Sequence, residues 1–343
     1  MIRNLSLFIV LILAVSSSVA SQEDPTFFDA IVKVSAAVPD TARTAKILGT
    51  QREGSGVVID KKGHILTIGY LILEADRIEV EDKAGKRLPA TFVGYDHHTG
   101  FGLIRTLVQQ DIEPIELGRS ASISEGELIM VASHEGAATA QGTRVISRKE
   151  FAGYWEYLLE NAIYTWPTFA DYGGAALLDS NGRLLGIGSI LTRFNMEGVG
   201  MIPCNMFVPI DQLKPILKDM IATGRSSEPP RPWLGLHVEE SYGRVLIMRV
   251  TDDSPADKAG LGRGDVILGV KQKDVAGLAD FYRKVWAVGQ AGVAVPLRVL
   301  QGTKIVQIVV QSADRRQFLD MAPKARGIRM DLPPHRLHHN TNL

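Results

Sequence analysis

Short segments of alternating apolar and polar residues, separated by glycine-containing turns, fill the first part of the chain. Alternation with a period of two predicts strands, and many short strands at close spacing are typical of an all-β barrel or sandwich. No alternation of strands with helices appears in this region. The pattern predicts a mostly β domain with strands at residues 30–34, 55–59, 65–67, 77–80, 88–94, 103–106, 128–132, 144–147 and 184–190.

A helical pattern follows at residues 211–223 and ends at Gly224, the residue type preferred just after a helix. The next segment, 225–232, contains three prolines and two serines, so we predict an extended linker there. Beyond it, an α+β domain at residues 233–312 mixes strands and helices. Its predicted strands are 245–250, 265–270, 295–300 and 305–310, and its predicted helices are 255–259 and 277–288.

The amino-acid composition argues against a nucleic-acid-binding protein and against a disordered chain. Of the 343 residues, 45% are hydrophobic, and 38 basic side chains balance 38 acidic ones. A nucleic-acid binder carries a basic excess that neutralises phosphates, and a disordered chain has fewer apolar residues. We therefore expect a globular protein with no nucleic-acid partner, and no motif in the sequence indicates a cofactor.

The first twenty residues have the features of a signal peptide. Arg3 precedes an apolar run at residues 5–15, and small residues follow at 18–20, so we predict cleavage before Ser21. A retained signal anchor is the alternative. Either a cleaved signal peptide or a retained anchor would place the rest of the chain outside the cytoplasm. We therefore expect a secreted protein, located in the periplasm. The single cysteine, Cys204, cannot form an internal disulfide there.

The end of the chain, residues 313–343, is basic and rich in proline and histidine, and we predict a disordered tail. His335, His338 and His339 could bind zinc or nickel if they were helical. Two prolines stand directly before this group. The sequence therefore predicts no metal site.

Several stretches of the first domain resemble the HtrA/Deg family of extracytoplasmic trypsin-like serine proteases, in which a double β-barrel precedes one or more PDZ domains. The matching stretches are 54–60, 64–67, 93–96, 173–187 and 200–203, followed by a PDZ-like start at 233–236. The resemblance implies a protease domain at 21–224 and a PDZ domain at 233–312. It also suggests that Phe27 and Phe28 stand where family members make trimer contacts, so a homotrimer is an expectation.

The resemblance also shows which residues stand at the catalytic positions. A serine protease needs a hydroxyl nucleophile, an imidazole base and a carboxylate that orients the imidazole. Here the histidine position is Tyr70, the aspartate position is Gly100 and the serine position is Tyr172. In the loop that would form the oxyanion hole, Ala170 replaces a glycine and Asp171 follows it. We therefore expect a degenerate triad and no catalytic residue.

Other residues could in principle replace the triad. Asp96, His97 and His98 precede the lost aspartate position, and Ser133 and His134 lie in a later loop. We interpret the first group as a solvated turn and the second as an ordinary loop. His64 is expected on the polar surface of its strand. An active endopeptidase with displaced catalytic residues remains the alternative hypothesis.

The PDZ domain retains the features of a peptide-binding module. Such domains add a C-terminal segment as a strand and hold its carboxylate with backbone amides of a glycine-containing loop. That loop is predicted at Trp233, Leu234, Gly235 and Leu236, and the apolar helix residues expected near the groove are Leu278, Phe281, Tyr282 and Val285. A groove occupied by the protein itself is the alternative.

Together these features predict a secreted HtrA-like pseudoprotease in envelope protein quality control. Its expected partners are protein C-termini or unfolded polypeptides and, as a second possibility, an active protease. A self-associating structural oligomer is a third hypothesis. An aromatic group between residues 151 and 166 is either ordinary packing or a peptide-binding surface. The mapping also requires Tyr70 and Tyr172 to lie in one cleft.

Overall fold

The computed structural model describes residues 26–321. The predicted signal peptide and the histidine group near the C-terminus lie outside these residues. Within residues 26–321 no helix is both long and apolar enough to cross a membrane. In the same range no three histidine, cysteine or acidic side chains are grouped as a metal site would require.

Two closed six-stranded antiparallel barrels form the first domain. The first barrel has the strand order β1-β2-β3-β6-β5-β4. Its strands are β1 (Ile31–Ala37), β2 (Gln51–Val58), β3 (His64–Ile68), β4 (Arg77–Glu81), β5 (Arg87–Tyr95) and β6 (Phe101–Thr106). Apolar side chains of these strands fill the barrel, because period-two alternation directs every second residue inward.

The second barrel follows with the order β10-β11-β12-β9-β8-β7. Its strands are β7 (Leu128–Ala132), β8 (Gln141–Gly153), β9 (Tyr157–Trp166), β10 (Ala176–Leu178), β11 (Leu184–Met196) and β12 (Gly200–Pro209). The short α1 (Ala45–Leu48) lies between the first two strands of the first barrel. The longer α2 (Leu217–Thr223) follows the second barrel and packs on β5.

A six-stranded antiparallel sheet with two helices forms the second domain. Its strands are β13 (Leu236–Ser241), β14 (Arg244–Val250), β15 (Val266–Val270), β16 (Lys273–Asp274), β17 (Ala294–Gln301) and β18 (Lys304–Gln311), and its helices are α3 (Pro255–Lys258) and α4 (Leu278–Trp286). The edge strand β13 pairs only with β14, so its other edge faces the groove beside α4.

The predicted fold class, a mostly β double barrel followed by a smaller α+β domain, is confirmed. The alternation pattern did not mark three strands of the second barrel, β9, β10 and β12, although the family resemblance covered residues 200–203 at the start of β12. β12 contains two prolines, and its last six residues are all buried, so alternation does not mark it. The predicted helix at 211–223 is helical as α2 only from Leu217, because Pro215 interrupts the preceding turn.

Residues 313–321 differ from the predicted disordered tail. Ala313 pairs with Trp233 through two backbone hydrogen bonds of 3.0 Å. Residues Arg315–Phe318 form a 3₁₀ turn, in which the Arg316 guanidinium donates to the Gly224 carbonyl at 2.9 Å. The Phe318 ring packs on the Trp233 ring with centroids 4.5 Å apart. We name residues 313–318 the return segment, because it brings the chain back from the second domain to the first.

Packing in the first barrel should dominate its stability. Leu103 is completely buried in β6, whereas Leu128 at the start of β7 is 68% exposed. Leu103→Ala should lower the free energy of unfolding by about 2–5 kcal/mol through lost burial and a residual cavity. The matched Leu128→Ala should change it by less than about 0.5 kcal/mol. Urea denaturation measures both; equal effects of the two substitutions would contradict the described core.

Candidate functional site

A cleft of about 440 Å³ lies between the two barrels and beside the second domain. Its walls are mainly apolar and aromatic. Three chain segments from the two barrels meet there: the turn after β3, the residue before β6 and the loop before β10. They contribute Tyr70, Gly100 and Tyr172 to the same wall region, so the structure brings together the three positions that the sequence analysis aligned with a catalytic triad.

Tyr70 lies in the 3₁₀ turn Gly69–Leu71 that follows β3. Its hydroxyl donates to the Ser189 carbonyl at 2.9 Å, while the Arg52 guanidinium holds the Tyr70 carbonyl at 2.9 Å. Burial, and secondarily the neighbouring Tyr172, raises the pKa of the Tyr70 phenol. The phenol is therefore protonated at neutral pH and acts as a donor, so it cannot serve as a general base.

Gly100 precedes β6 in a left-handed conformation, with φ of +83°. A side chain is disfavoured in this conformation. The Gly100 carbonyl accepts a 2.7 Å hydrogen bond from the Gly69 amide, which ties the turn of Tyr70 to the start of β6. A Cβ atom added at Gly100 would lie 3.4 Å from the Tyr157 hydroxyl. Both the backbone and the missing side chain therefore leave the cleft without a carboxylate at this position.

The loop that carries Tyr172 is anchored at both ends. Before it, the buried Asn205 side chain accepts from the Phe169 amide at 2.6 Å and donates to the Phe169 carbonyl at 3.1 Å. After it, the Gly173 carbonyl accepts from the Ser55 amide at 2.8 Å. Gly174 has φ of +75°, and a Cβ there would meet the Ser55 carbonyl. Ala170 and Asp171, between these anchors, are exposed.

The residues weighed as replacements for the triad form two groups, of which the first is Ser133 and His134. Ser133 is completely buried, and its hydroxyl oxygen accepts from the Glu135 amide at 3.3 Å. The serine beside His134 is instead Ser55, which the sequence analysis did not consider. His134 Nδ1 lies 3.1 Å from the Ser55 hydroxyl, and His134 Nε2 lies 3.3 Å from Glu135. A serine, a histidine and a carboxylate are thus in contact one after another, although Ser55 is far from the other two residues in the chain. However, Ser55 is completely buried, its oxygen already accepts from the His134 amide at 3.0 Å, and it does not line the cleft.

The second group lies under the return segment. Asp96 is buried and accepts two hydrogen bonds from Thr99. His97 contacts the Arg315 guanidinium at 3.0 Å, and burial followed by that charge lowers its pKa well below the ordinary value. The expected solvated turn is therefore a packed one. His64, expected at the surface, is also buried; its Nδ1 lies 2.6 Å from the Asp60 carboxylate.

The backbone loop of the second domain holds a carboxylate from the first domain. Glu156 lies at the turn between β8 and β9, and it is 3% exposed. Its carboxylate accepts from the amides of Leu234 at 2.9 Å, Gly235 at 2.7 Å and Leu236 at 2.7 Å. Burial raises the pKa of Glu156 to about 7, although the three amides act in the opposite direction. The groove is thus occupied by the protein itself.

Further contacts seat the same turn, residues 153–158, which we call the docked turn. The Tyr282 hydroxyl on α4 donates to the Gly153 carbonyl at 2.6 Å and accepts from the Glu156 amide at 3.1 Å. The Tyr154 carbonyl accepts from the Val238 amide of β13 at 2.9 Å. Leu158 packs within the apolar core of the second domain.

The predicted groove residues therefore have distinct places. Leu234, Gly235 and Leu236 form the amide loop, and Tyr282 is the helix residue that contacts the docked turn. Leu278, Phe281 and Val285 are buried in the core of the second domain. Trp233 instead faces the return segment.

Sequence reasoning missed Glu156. The aromatic group of residues 151–166 pointed to the correct region: its members Tyr154, Trp155 and Tyr157 lie in the docked turn and line the cleft. The Trp155 and Tyr157 rings stack with centroids 5.4 Å apart. Glu156 adopts φ of +58°, a conformation that no sequence pattern marks for a glutamate.

Comparison with known proteins agrees with this architecture. Residues 54–187 match the trypsin-like peptidase domain family, and residues 232–311 match the PDZ domain family. The chain therefore contains a trypsin-like peptidase domain followed by a PDZ domain. An HtrA-type protease AlgW determined with a tripeptide superposes with a TM-score of 0.50 at 20% identity, over 84% of this chain and 94% of that one. This likeness shows the fold.

Two bacterial serine proteases are similar to this chain in sequence. The chain is 28% identical over 274 residues to a "Probable periplasmic serine endoprotease DegP-like" of Pseudomonas fulva, which covers 73% of this chain and 54% of that protein. It is 24% identical over 285 residues to the "Serine protease Do-like HtrA" of Bacillus subtilis, which covers 73% of this chain and 61% of that protein. The chain thus spans little more than half the length of these relatives.

The Tyr70 hydroxyl should contribute to stability. Tyr70→Phe leaves the buried Ser189 carbonyl without this donor, so unfolding free energy should fall by about 1–3 kcal/mol. Tyr172→Phe is the matched control, because no hydrogen bond to its hydroxyl is described within residues 26–321. Thermal or urea unfolding compares the two variants. A stronger effect of Tyr172→Phe would show that the hydroxyl assignments in the cleft are wrong.

Proposed function

We propose that this HtrA-like protein is a pseudoprotease that binds peptides or unfolded polypeptides and regulates envelope protein quality control. One observation carries the proposal: the three segments that supply a triad in this fold converge on one cleft, where they present Tyr70, Gly100 and Tyr172. These residues offer two phenols and a glycine in place of a base, a carboxylate and a nucleophile.

Chemistry supports the absence of proteolysis in the cleft. Loss of a triad serine or histidine alone lowers kcat by about 10⁶-fold in a related mechanism. The described hydrogen bonds do not join Ser189 and His237, the serine and histidine that line the cleft. Burial, and then the nearby Arg249, lowers the pKa of His237 to about 4. Tyr172 therefore has no described partner able to accept its proton.

The PDZ domain supports recognition of C-termini. Its amide loop holds the Glu156 carboxylate through three backbone amides, which is the type of contact that recognition of a C-terminus requires. The superposed AlgW proteins were determined with a tripeptide and a decapeptide. The periplasmic description of the DegP-like relative supports the same location for this chain. We also propose an active protease as a second possible partner and a homotrimer as the oligomeric state.

The purified chain without residues 1–20 should release no fluorescence from labelled casein above the blank. Tyr172→Ala should behave identically, because no nucleophile is lost. An active family member provides the positive control. Release by the unmodified chain, proportional to its concentration and persistent through repurification, would overturn the pseudoprotease proposal.

A second candidate function rests on the Ser55, His134 and Glu135 series. These residues could form a displaced catalytic group if the loop after β7 moved to expose Ser55. The imidazole would then need to accept the serine proton through Nδ1, with Glu135 near Nε2. The complete burial of Ser55 weighs against this function in the described state.

Ser55→Ala separates the two candidates. Under the pseudoprotease proposal it leaves the casein signal at the blank level, as in the unmodified chain. Under the displaced-triad hypothesis, measurable release by the unmodified chain would fall by at least 10³-fold in Ser55→Ala. Ser122→Ala, at an exposed serine, is the matched control.

A further inference from the structure

The Glu156 carboxylate lies in the amide loop where a PDZ domain holds the end of a bound chain. A PDZ loop holds the carboxylate of a chain end through consecutive backbone amides. Here three consecutive amides, from Leu234 to Leu236, all point at one side-chain carboxylate. The two oxygens of a carboxylate can accept several hydrogen bonds at once, from a side chain as from a chain end. Glu156 therefore satisfies the loop as a chain end would.

The docked turn also imitates the rest of a bound peptide. A ligand strand accepts hydrogen bonds from the free edge of β13, and the Tyr154 carbonyl takes one such bond from Val238. A ligand also places an apolar side chain beside the loop. Leu158 of the docked turn is 7% exposed and belongs to the same apolar core as the buried side chains of the second domain.

Two more contacts fix the turn against α4. The Tyr282 hydroxyl bridges the Gly153 carbonyl and the Glu156 amide. Arg283, on the same helix, forms an ion pair with Glu150 of β8. Both walls of the groove thus contact the β8–β9 hairpin, and no open carboxylate site is left among these residues.

We infer that the docked turn is a built-in ligand of the PDZ groove, with the Glu156 side chain in the place of a chain end. A partner with a free C-terminal carboxylate and an apolar last residue binds by displacing it. The identity of this partner class rests on the proposed peptide-binding function. Occupation of the groove by the turn rests on the contacts alone.

Competition between turn and partner sets the apparent affinity. Only the fraction of molecules with the turn released can bind, so the apparent Kd equals the intrinsic Kd divided by that fraction. If about 1% of molecules are open, removal of the Glu156 carboxylate strengthens peptide binding up to about 100-fold. Substitution at an exposed glutamate of the same hairpin should have no such effect.

Hydrogen exchange tests occupation without any peptide. In the full chain without residues 1–20, the amides of residues 234–236 should be protected, and Glu156→Ala should speed their exchange at least tenfold. Glu160→Ala, at an exposed residue of β9, is the matched control. Amides of β6 report that each variant is folded. Equal exchange at residues 234–236 in Glu156→Ala and the unmodified chain would overturn the inference.

Peptide binding tests displacement. The probe is a fluorescein-labelled decapeptide pool with three randomised C-terminal positions and a free carboxylate; the same pool with an amidated end is the control. Fluorescence anisotropy should show at least tenfold tighter binding of the free-acid pool to Glu156→Ala than to the unmodified chain or Glu160→Ala. Glu156→Gln, which lacks the charge, should be intermediate. Equal binding to all variants contradicts the inference.

The two measurements separate the inference from the proposed function. Protected amides in the unmodified chain, with no binding of either pool to Glu156→Ala, would overturn C-terminus recognition and support occupation by the turn. Unprotected amides together with tight binding of the free-acid pool to the unmodified chain would overturn the built-in ligand and support the proposed function.

Discussion

The buried Glu156 carboxylate and the three backbone amides that donate to it form the central contact between the two domains. A carboxylate removed from water requires donors, and backbone amides removed from water require acceptors. Glu156 and residues 234–236 meet both needs at once, across a boundary between domains. The left-handed backbone at Glu156 and the hydroxyl of Tyr282 orient the turn so that this contact can form.

The position of the cleft follows from the fold and not from the side chains that line it. Closure of two barrels brings the end of β3, the start of β6 and the loop before β10 to the same place whatever side chains they carry. The anchors that support this convergence, Asn205 under the loop and the Gly69 to Gly100 hydrogen bond, are backbone-directed. These contacts do not involve the side chains of Tyr70 and Tyr172, so the cleft does not depend on which residues occupy those positions.

Local patterns predicted much of the fold and little of the contact between domains. Alternation of apolar and polar residues predicted nine of the twelve barrel strands. Gly224 predicted the end of α2, because the left-handed residue after a helix is commonly glycine. Glu156 carries no such mark: its acceptors and donors are 78 to 80 residues apart in sequence. The return segment was also missed, since its basic, polar composition resembles a tail while its order comes from Trp233 and Gly224.

The return segment attaches the end of the second domain to the first domain, so the second domain is held to the barrels at both of its ends. The domain is joined to the barrels by the linker at its beginning and held to them again by Arg315 and Arg316 at its end. A turn and a groove confined in this way meet at an effective concentration that is millimolar for short tethers. A soluble chain end at micromolar concentration must therefore bind about a thousandfold more tightly than the turn to compete equally. A partner that presents several chain ends raises their local concentration and so competes with the turn more effectively.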